Sequence, residues 1–195
     1  MTKLRITQTL LSNWIYTYCT DDGYEKFLKC LNRIKEPPTK AMLDGIRFEG
    51  LVNSALDDVA IPEDHEWYKC VMECKELLYG AQQQVEIYKD ITVDGQPFLL
   101  HGVLDFLKAG QIYDTKFSKT YKLNKYLKSP QTPMYFKLVP EAYKFTYVIC
   151  DGKWVYREGY YPHEVTPIEA YIRQFMAFLR RQNLLDIYAE KWQMN

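Results

Sequence analysis

The sequence predicts one α/β (α+β) domain, in which a central sheet of about five strands is flanked by helices. Its 195 residues are enough to bury a sizeable apolar core without disulfides or a structural metal. Apolar residues recur at helical spacing towards both ends of the chain, whereas strand-like runs separated by turn signals fill the middle. Hydrophobic residues make up 47% and charged residues 26% of the chain, which is typical of a protein that folds.

Three helices are predicted ahead of the sheet. The first, TQTLLSNWIYTYCT, has apolar residues on one face and Thr7 or Thr9 as its N-cap. A polar stretch follows, and the second helix, DGIRFEGLVNSALDDVA, begins at Asp44. The third spans about 67–79 and is closed by Gly80, a residue type that is frequent just past helix ends.

The predicted sheet begins with a meander of three strands. VEIYKDITV and FLLHGVLDFL are separated by an Asp-Gly turn signal at 94–95, and QIYDTKF follows a break at 108–110. Two more strands, KFTYVIC and KWVYREGYY, flank a second Asp-Gly signal at 151–152. Short connections of this kind predict antiparallel neighbours.

Two further helices are predicted after the meander. Ser129 and Pro130 have the pattern of an N-cap followed by proline at the first helical position, and the helix they open places Gln131 and Tyr135 on one face. A final amphipathic helix is predicted over about 167–192.

Charge and cysteine content restrict the class of protein. Lys plus Arg and Asp plus Glu number 25 each, so any affinity for nucleic acid must be local. The first residues lack the apolar run of a signal peptide and no stretch reaches bilayer-spanning length, which predicts a cytoplasmic protein without a membrane partner. The five cysteines have neither paired metal-knuckle spacing nor disulfide-dense spacing, so reduced thiols are expected.

An aspartate inside an apolar strand is the main chemical signal. Aspartate is depleted in strands, yet Asp105 interrupts the run 103–107, where a charge is costly unless it is paired or bound to a cation. If the turn centres on 109–110, positions that sum to 219 pair, and Asp105 faces Asp114. Lys116 then lies on the same face as Asp114, because strand side chains alternate.

Two opposed carboxylates favour a divalent cation between them. Like charges about 5 Å apart destabilise a strand pair or force one group to take up a proton. Mg²⁺ prefers oxygen ligands, and a lysine beside the two acids completes a group suited to phosphodiester hydrolysis. The alternative is a cross-strand salt bridge between Lys116 and an aspartate. The acid-x-Lys tripeptide is weak by itself, since it recurs at 73–75 and 151–153.

Three motifs in order resemble the PD-(D/E)XK nuclease superfamily, in particular its RecB-like and phage lambda-exonuclease-like branch. The pattern GxxD, then DxK or ExK, then QxxxY corresponds here to Gly102–Asp105, Asp114–Lys116 and Gln131–Tyr135. The resemblance implies a single domain over 1–195 with a restriction-endonuclease-like core at about 44–158 and a mixed sheet. It also implies that the N-terminal helical segment and the C-terminal helix pack on that core.

The resemblance assigns roles to the acidic residues. It implies Asp105 and Asp114 as ligands of Mg²⁺ or Mn²⁺, Lys116 as the catalytic lysine, and Glu49 as a further acidic ligand and member of the catalytic set. The backbone carbonyl of Thr115 is an additional implied ligand. The alternative for Glu49 is an exposed helical glutamate. An iron–sulfur cluster is not expected, since the late cysteine group of the relatives that carry one is reduced here to Cys150 alone.

The resemblance also implies substrate contacts. It places Gln131 and Tyr135 near the active centre, where they position DNA or the catalytic residues, and helix packing is the alternative. The segment 116–137 contains six lysines and no acidic residue, so Lys119 and Lys122 are candidates for phosphate contacts, while its tyrosines can stack on unpaired bases. A solvated lysine face is the alternative for this segment.

The predicted function is a Mg²⁺- or Mn²⁺-dependent deoxyribonuclease, an exonuclease of phage or bacterial DNA recombination and repair. The alternatives are a structure-specific or restriction-type endonuclease and a non-catalytic DNA-binding module that keeps the nuclease fold. The implied partners are DNA and either further copies of the chain or a recombination protein.

Overall fold

A mixed sheet of six strands forms the centre of the computed structural model, which describes residues 3–194. The strands are β1 Leu4–Thr7, β2 Gln82–Val93, β3 Gln96–Lys108, β4 Gln111–Phe117, β5 Lys144–Cys150 and β6 Val155–Tyr160. They are ordered β1-β3-β4-β5-β6, and β2 also pairs with β3. β1 is parallel to β3 and β4 to β5, whereas the other neighbours are antiparallel. The α/β class and the helix-flanked mixed sheet are therefore as predicted.

Seven α-helices flank the sheet within residues 3–194. They are α1 Gln8–Tyr16, α2 Gly23–Leu31, α3 Lys40–Leu56, α4 Tyr68–Leu78, α5 Gln131–Leu138, α6 Ile168–Arg181 and α7 Leu185–Trp192, and a short 3-10 helix covers Pro162–Glu164. None of the helices in this described part is both long and apolar enough to cross a membrane.

Two hydrophobic cores lie on opposite faces of the sheet. Ile112 and Ile149 belong to one core, whereas their chain neighbours Tyr113 and Val148 belong to the other, as alternation along β4 and β5 requires. The larger core includes buried residues of α1, α2, α5, α6 and α7. The smaller core is completed by α3 and α4.

The predicted turns and register of the meander are confirmed. The turns at 94–95 and 109–110 each hold two residues with positive φ, namely 51° and 79° in the first and 49° and 75° in the second. This is the geometry of the type I′ turns that close two-residue hairpins. Phe106 pairs with Tyr113, so positions that sum to 219 do lie opposite each other.

The N-terminal predictions were partly wrong. β1 was not predicted, because its four residues are too few to distinguish a strand and no turn signal separates them from the predicted helix, so the sheet has six strands instead of about five. The supposed polar stretch contains the amphipathic helix α2, which buries Phe27 and Leu31. Thr7, one of the two predicted candidates, is the N-cap of α1 and accepts a hydrogen bond from the backbone N–H of Leu10. α3 begins ahead of the predicted Asp44.

The predicted final helix is two helices. Asn183 lies between α6 and α7 with φ 55°, a left-handed conformation that ends an α-helix and that asparagine tolerates. The two helices share one apolar pattern because both pack on the larger core, which is why the pattern alone predicted a continuous helix.

Candidate active site

The candidate site lies where β3 and β4 separate. β2 pairs with nearly the full length of β3, so β1 and β4 share the opposite edge of that strand. β1 pairs with 98–101 and β4 with 106–108. The segment 102–105 lies between these two pairings, and the gap leaves room for side chains of β3 and β4 to approach one another.

An irregularity in the β2–β3 ladder aims Asp105 into this gap. Gln83 pairs with Phe106 and Val85 with Leu104, but Gln84, which has φ 50°, does not pair with Asp105. Leu104 belongs to the larger core and Phe106 to the smaller one, so the alternation of β3 breaks between them. Such local breaks in a ladder redirect a side chain, and they occur often beside active sites.

Asp105 is held by the backbone of the neighbouring strand. Its Oδ2 accepts a hydrogen bond from the N–H of Thr115 at 3.0 Å, and the Thr115 hydroxyl lies 3.5 Å from the same oxygen. The predicted facing of Asp105 and Asp114 therefore holds in register, although the regular ladder stops one pair earlier.

Asp114 is the most buried carboxylate of the site, with 1% of its surface exposed. Its Oδ1 accepts a hydrogen bond of 2.5 Å from Nε2 of Gln131. Its Oδ2 lies 2.5 Å from Nζ of Lys116, but within residues 3–194 no donor is aligned with that oxygen to form a hydrogen bond. The Oδ2 of Asp114 is thus buried and lies beside the Lys116 side chain, which is 32% exposed.

The charges of the site are strongly coupled. Burial raises the pKa of Asp105 well above its ordinary value, and the adjacent Asp114 carboxylate raises it further. Burial acts to lower the pKa of Lys116, but the carboxylates of Asp114 and Asp105 outweigh it, so that this pKa lies above its ordinary value. Lys116 is accordingly a firmly protonated counterion of the two acids.

Glu49 approaches the site from α3, which packs on the face of the sheet opposite to α5. It is close enough to Asp105 to contribute to the raised pKa of that carboxyl, and its Oε1 accepts a hydrogen bond of 2.8 Å from Nε2 of Gln84. Within residues 3–194, no group of three or more His, Cys, Asp or Glu side chains is arranged to hold a metal ion. The structure therefore brings Asp105, Asp114 and Lys116 together, with Glu49 nearby and engaged by Gln84.

Gln131 and Tyr135 hold the site together from α5. Both are buried, with 6% and 5% of their surfaces exposed. Gln131 bonds to Asp114, and the Tyr135 hydroxyl donates to the carbonyl of Val103 at 2.7 Å. Both residues therefore lie beside the acids, one on Asp114 and the other on the edge of β3, and their role towards DNA or the catalytic residues stays a prediction.

Gly102 allows α5 to lie this close to β3. A Cβ atom at this position would be 2.7 Å from Leu138 Cδ1 and 2.9 Å from Tyr135 Cε1, which is closer than van der Waals contact allows. The glycine of the GxxD motif thus has a packing reason, since the Tyr135 ring crosses the strand directly above it.

The lysine-rich connection between β4 and α5 is irregular instead of helical. Lys119 and Lys122 are exposed, and the Lys119 ammonium lies 4.0 Å from the Asp44 carboxylate. Tyr121 and Tyr126 pack on the domain, since their rings lie 4.8 Å from Tyr156 and 4.5 Å from Tyr147. These two tyrosines are therefore committed to packing and are poorly placed to stack on bases, contrary to expectation.

Glu158 of β6 was missed by sequence reasoning and anchors this connection. It is 5% exposed, and its carboxylate accepts hydrogen bonds from the hydroxyls of Tyr121 and Tyr160 and from the backbone N–H of Asn124. A glutamate beside an arginine in a short strand has the pattern of a solvent-facing residue. Only the tertiary approach of the tyrosines shows its role.

Comparison with known proteins supports the fold but names no function. No protein-family model matches the chain, and no curated protein matches it. A solved structure described as "Crystal structure of SSO0001" is similar, with a TM-score of 0.55 and 18% sequence identity over 94% of this chain and 78% of that chain. At this identity the likeness shows a shared fold.

Proposed function

We propose that this chain is a Mg²⁺- or Mn²⁺-dependent deoxyribonuclease, an exonuclease acting in DNA recombination or repair. The observation that carries the proposal is the convergence of Asp105, Asp114 and Lys116 at the gap between β3 and β4. Two acids and a lysine brought together on adjacent strands, with one acid resisting ionisation, are typical of a site that acts on an anionic substrate with a cation.

The two aspartates fit a divalent cation. The buried Oδ2 of Asp114 has no aligned hydrogen-bond donor within the described residues, and Asp105 carries a pKa raised by burial and by its neighbour. A cation held by Asp105 and Asp114 would remove this repulsion, lower the pKa of a bound water and stabilise charge on phosphorus-bound oxygens. Glu49 would join the ligand set by releasing Gln84.

The chain's own groups have distinct tasks in phosphodiester hydrolysis. Lys116, protonated and partly exposed, donates to a phosphate oxygen or orients the attacking water. Gln131 fixes the orientation of Asp114, and the N–H of Thr115 fixes that of Asp105, so both carboxylates are preorganised. The exposed lysines 119 and 122 supply phosphate contacts that are independent of base sequence.

The test is hydrolysis of linear duplex and single-stranded DNA with Mn²⁺, comparing the wild type with Lys116→Ala. We expect the substitution to reduce the rate by about 100-fold or more, because it removes a group that stabilises developing charge. Lys153→Ala is the matched control, since Lys153 ends an acid-x-Lys tripeptide that lies in a turn. Equal rates for the wild type and Lys116→Ala would refute the assignment.

Covalently closed circular DNA distinguishes the two nuclease classes. An exonuclease leaves the circle intact and degrades the same molecule after linearisation, whereas an endonuclease nicks the circle. Nicking that depends on Lys116 would replace the exonuclease proposal with a structure-specific or restriction-type endonuclease.

A non-catalytic DNA-binding module is the second candidate. It is favoured by the engagement of Glu49 with Gln84 and by the lack of an assembled three-acid group within residues 3–194. Calorimetry with Mg²⁺ separates the two, because this candidate predicts no cation binding to the DNA complex and no change in Asp114→Asn.

A further inference from the structure

A groove lined by aromatic and basic side chains runs along α1 and α6, outside the candidate active site. It consists of three adjoining depressions that all include Tyr18, and two of them also include Trp14. The largest of the three is an open depression of about 620 Å³.

The groove has a one-sided charge. Three of the lining residues, Lys128, Arg180 and Arg181, are cationic, and none is acidic. Within residues 3–194, none of these three cations forms an ion pair, although the chain as a whole has equal numbers of acidic and basic residues. Unpaired cations gathered along a groove attract an anionic partner.

The groove contains a largely exposed aromatic ring that packs against a buried one. Tyr18 is 68% exposed, and its ring lies edge-on to Phe178 at 6.1 Å. Trp14, 5.6 Å from Phe175, forms part of the floor, and its indole N–H has no hydrogen-bond partner among the described residues. A large exposed ring backed by buried rings is suited to stacking against a flat, unpaired base.

The groove adjoins the candidate active site at Lys128. The Tyr171 hydroxyl donates to the carbonyl of Lys128 at 3.3 Å, and the next residue, Ser129, accepts from the N–H of Gln131. Gln131 in turn bonds to Asp114. Only three positions along the chain therefore separate the groove lining at Lys128 from Gln131, the residue that bonds to Asp114.

We propose that this groove binds one single strand of nucleic acid and guides it to or from the acidic centre, a route that rests on the proposed nuclease function. The phosphates would contact Lys128, Arg180 and Arg181, and a base would stack on Tyr18. A duplex is a poorer fit, because its bases are stacked on one another and offer no free face to Tyr18. An acidic protein segment would satisfy the cations but not the exposed ring.

The test measures binding and turnover separately. Asp114→Asn protein in EDTA is titrated into a fluorescently labelled oligothymidylate of about 20 nucleotides and, separately, into a duplex of equal length, with anisotropy as the readout. We expect Tyr18→Ala in this background to weaken single-strand binding about tenfold and to change duplex binding far less. Tyr79→Ala, which removes a tyrosine of almost equal exposure (67%) after α4, is the control.

The arginines are tested by salt dependence. Each phosphate contact on a single strand contributes about 0.7 to the slope of log affinity against log salt concentration, so we expect Arg180→Ala and Arg181→Ala each to lower the slope by about that amount. Unchanged single-strand binding in the Tyr18 and Arg181 variants, or equal loss of duplex binding, overturns the groove proposal. If these variants lose binding but the wild type with Mn²⁺ hydrolyses nothing, the groove stands and the nuclease proposal fails.

Discussion

The two halves of β3 hold ionisable groups in opposite ways. In the first half, His101 contacts Arg5 of β1 and bonds to Glu86 of β2 at 2.8 Å, and Tyr88 stacks on its ring at 4.4 Å. Strands flank this half on both edges. In the second half, Asp105 sits at a break in the β2 ladder and beside the gap in which β4 begins to diverge.

The difference lies in charge balance. One arginine and one glutamate flank His101, so their charges offset each other within the first half. The second half holds the carboxyl groups of Asp105 and Asp114 beside one ammonium, that of Lys116, with Glu49 nearby. Acids that outnumber the ammonium beside them are typical of a site that binds a further cation.

Asp105→Asn should have the largest effect on the difference between the two halves of β3. We expect DNA hydrolysis with Mn²⁺ to fall by about 100-fold or more, because under the proposed function the cation would lose a ligand and its charge. Glu86→Gln, in the neutral half, is the control and should retain its rate. Rates measured with saturating linear DNA check this, and similar losses in both variants would contradict it.

Gly102→Ala should distort the site from within the core. The new methyl group would press on Leu138 and Tyr135, and overpacking of this kind costs about 1–3 kcal/mol. For a chain of this size each kcal/mol corresponds to about 2–4 °C in Tm. Gly50→Ala is the control: it lies in α3 with no atom within 4 Å of the added Cβ, and it should stabilise slightly. Thermal melts of the two variants should therefore move in opposite directions.

The pH dependence of stability in EDTA should identify Asp105 as the acid whose pKa is raised by folding. Its pKa in the folded protein lies above the unfolded value of about 4, so the folded state holds the extra proton between the two values and stability falls as pH rises through that window. Asp105→Asn should therefore raise Tm by a few degrees at pH 8, on the order of 2–4 °C per kcal/mol, and give no gain near pH 4. A gain of equal size at both pH values would point to another cause.

Added Mn²⁺ should stabilise the half of β3 that holds Asp105 and Asp114, and the expected effect is a rise in Tm. At a concentration about 100-fold above its dissociation constant, Mn²⁺ stabilises the folded state by about 2.7 kcal/mol if it binds only that state. We expect the resulting rise in Tm to vanish in Asp114→Asn and to persist in Glu86→Gln. A rise that survives in Asp114→Asn would place the cation elsewhere.

The meander was predictable because its signals are local. Asp94-Gly95 and Ala109-Gly110 fix two-residue turns, and such a turn sets the register of both strands, so the facing of Asp105 and Asp114 followed from counting. β1 and α2 were missed, because the first is too short to show a period and the second lies in a polar context.

The surroundings of the acids were harder to predict, because they depend on tertiary contacts. The burial of Gln131 and the anchoring by Glu158 arise from the approach of α5 and of the lysine-rich connection to the sheet. The left-handed Gln84, opposite Asp105, has no sequence signature, since glutamine in that conformation is uncommon. The facing of the two aspartates was thus readable from local signals, whereas the Thr115 N–H that holds Asp105 and the anchoring by Glu158 were not.

The division of the interior into two cores has a consequence for how the protein fails on heating. Asp114 and Gln131 lie beside the larger core, whereas Glu49 belongs to α3, which packs on the smaller core. Cooperative opening tends to follow such packing units, so we expect amide protons of α3 and α4 to exchange with solvent sooner than those of β5 and α6. A cation bound by residues of both layers would link the larger core to the smaller one. Its loss would let the α3–α4 layer open while the β5–α6 layer stays folded.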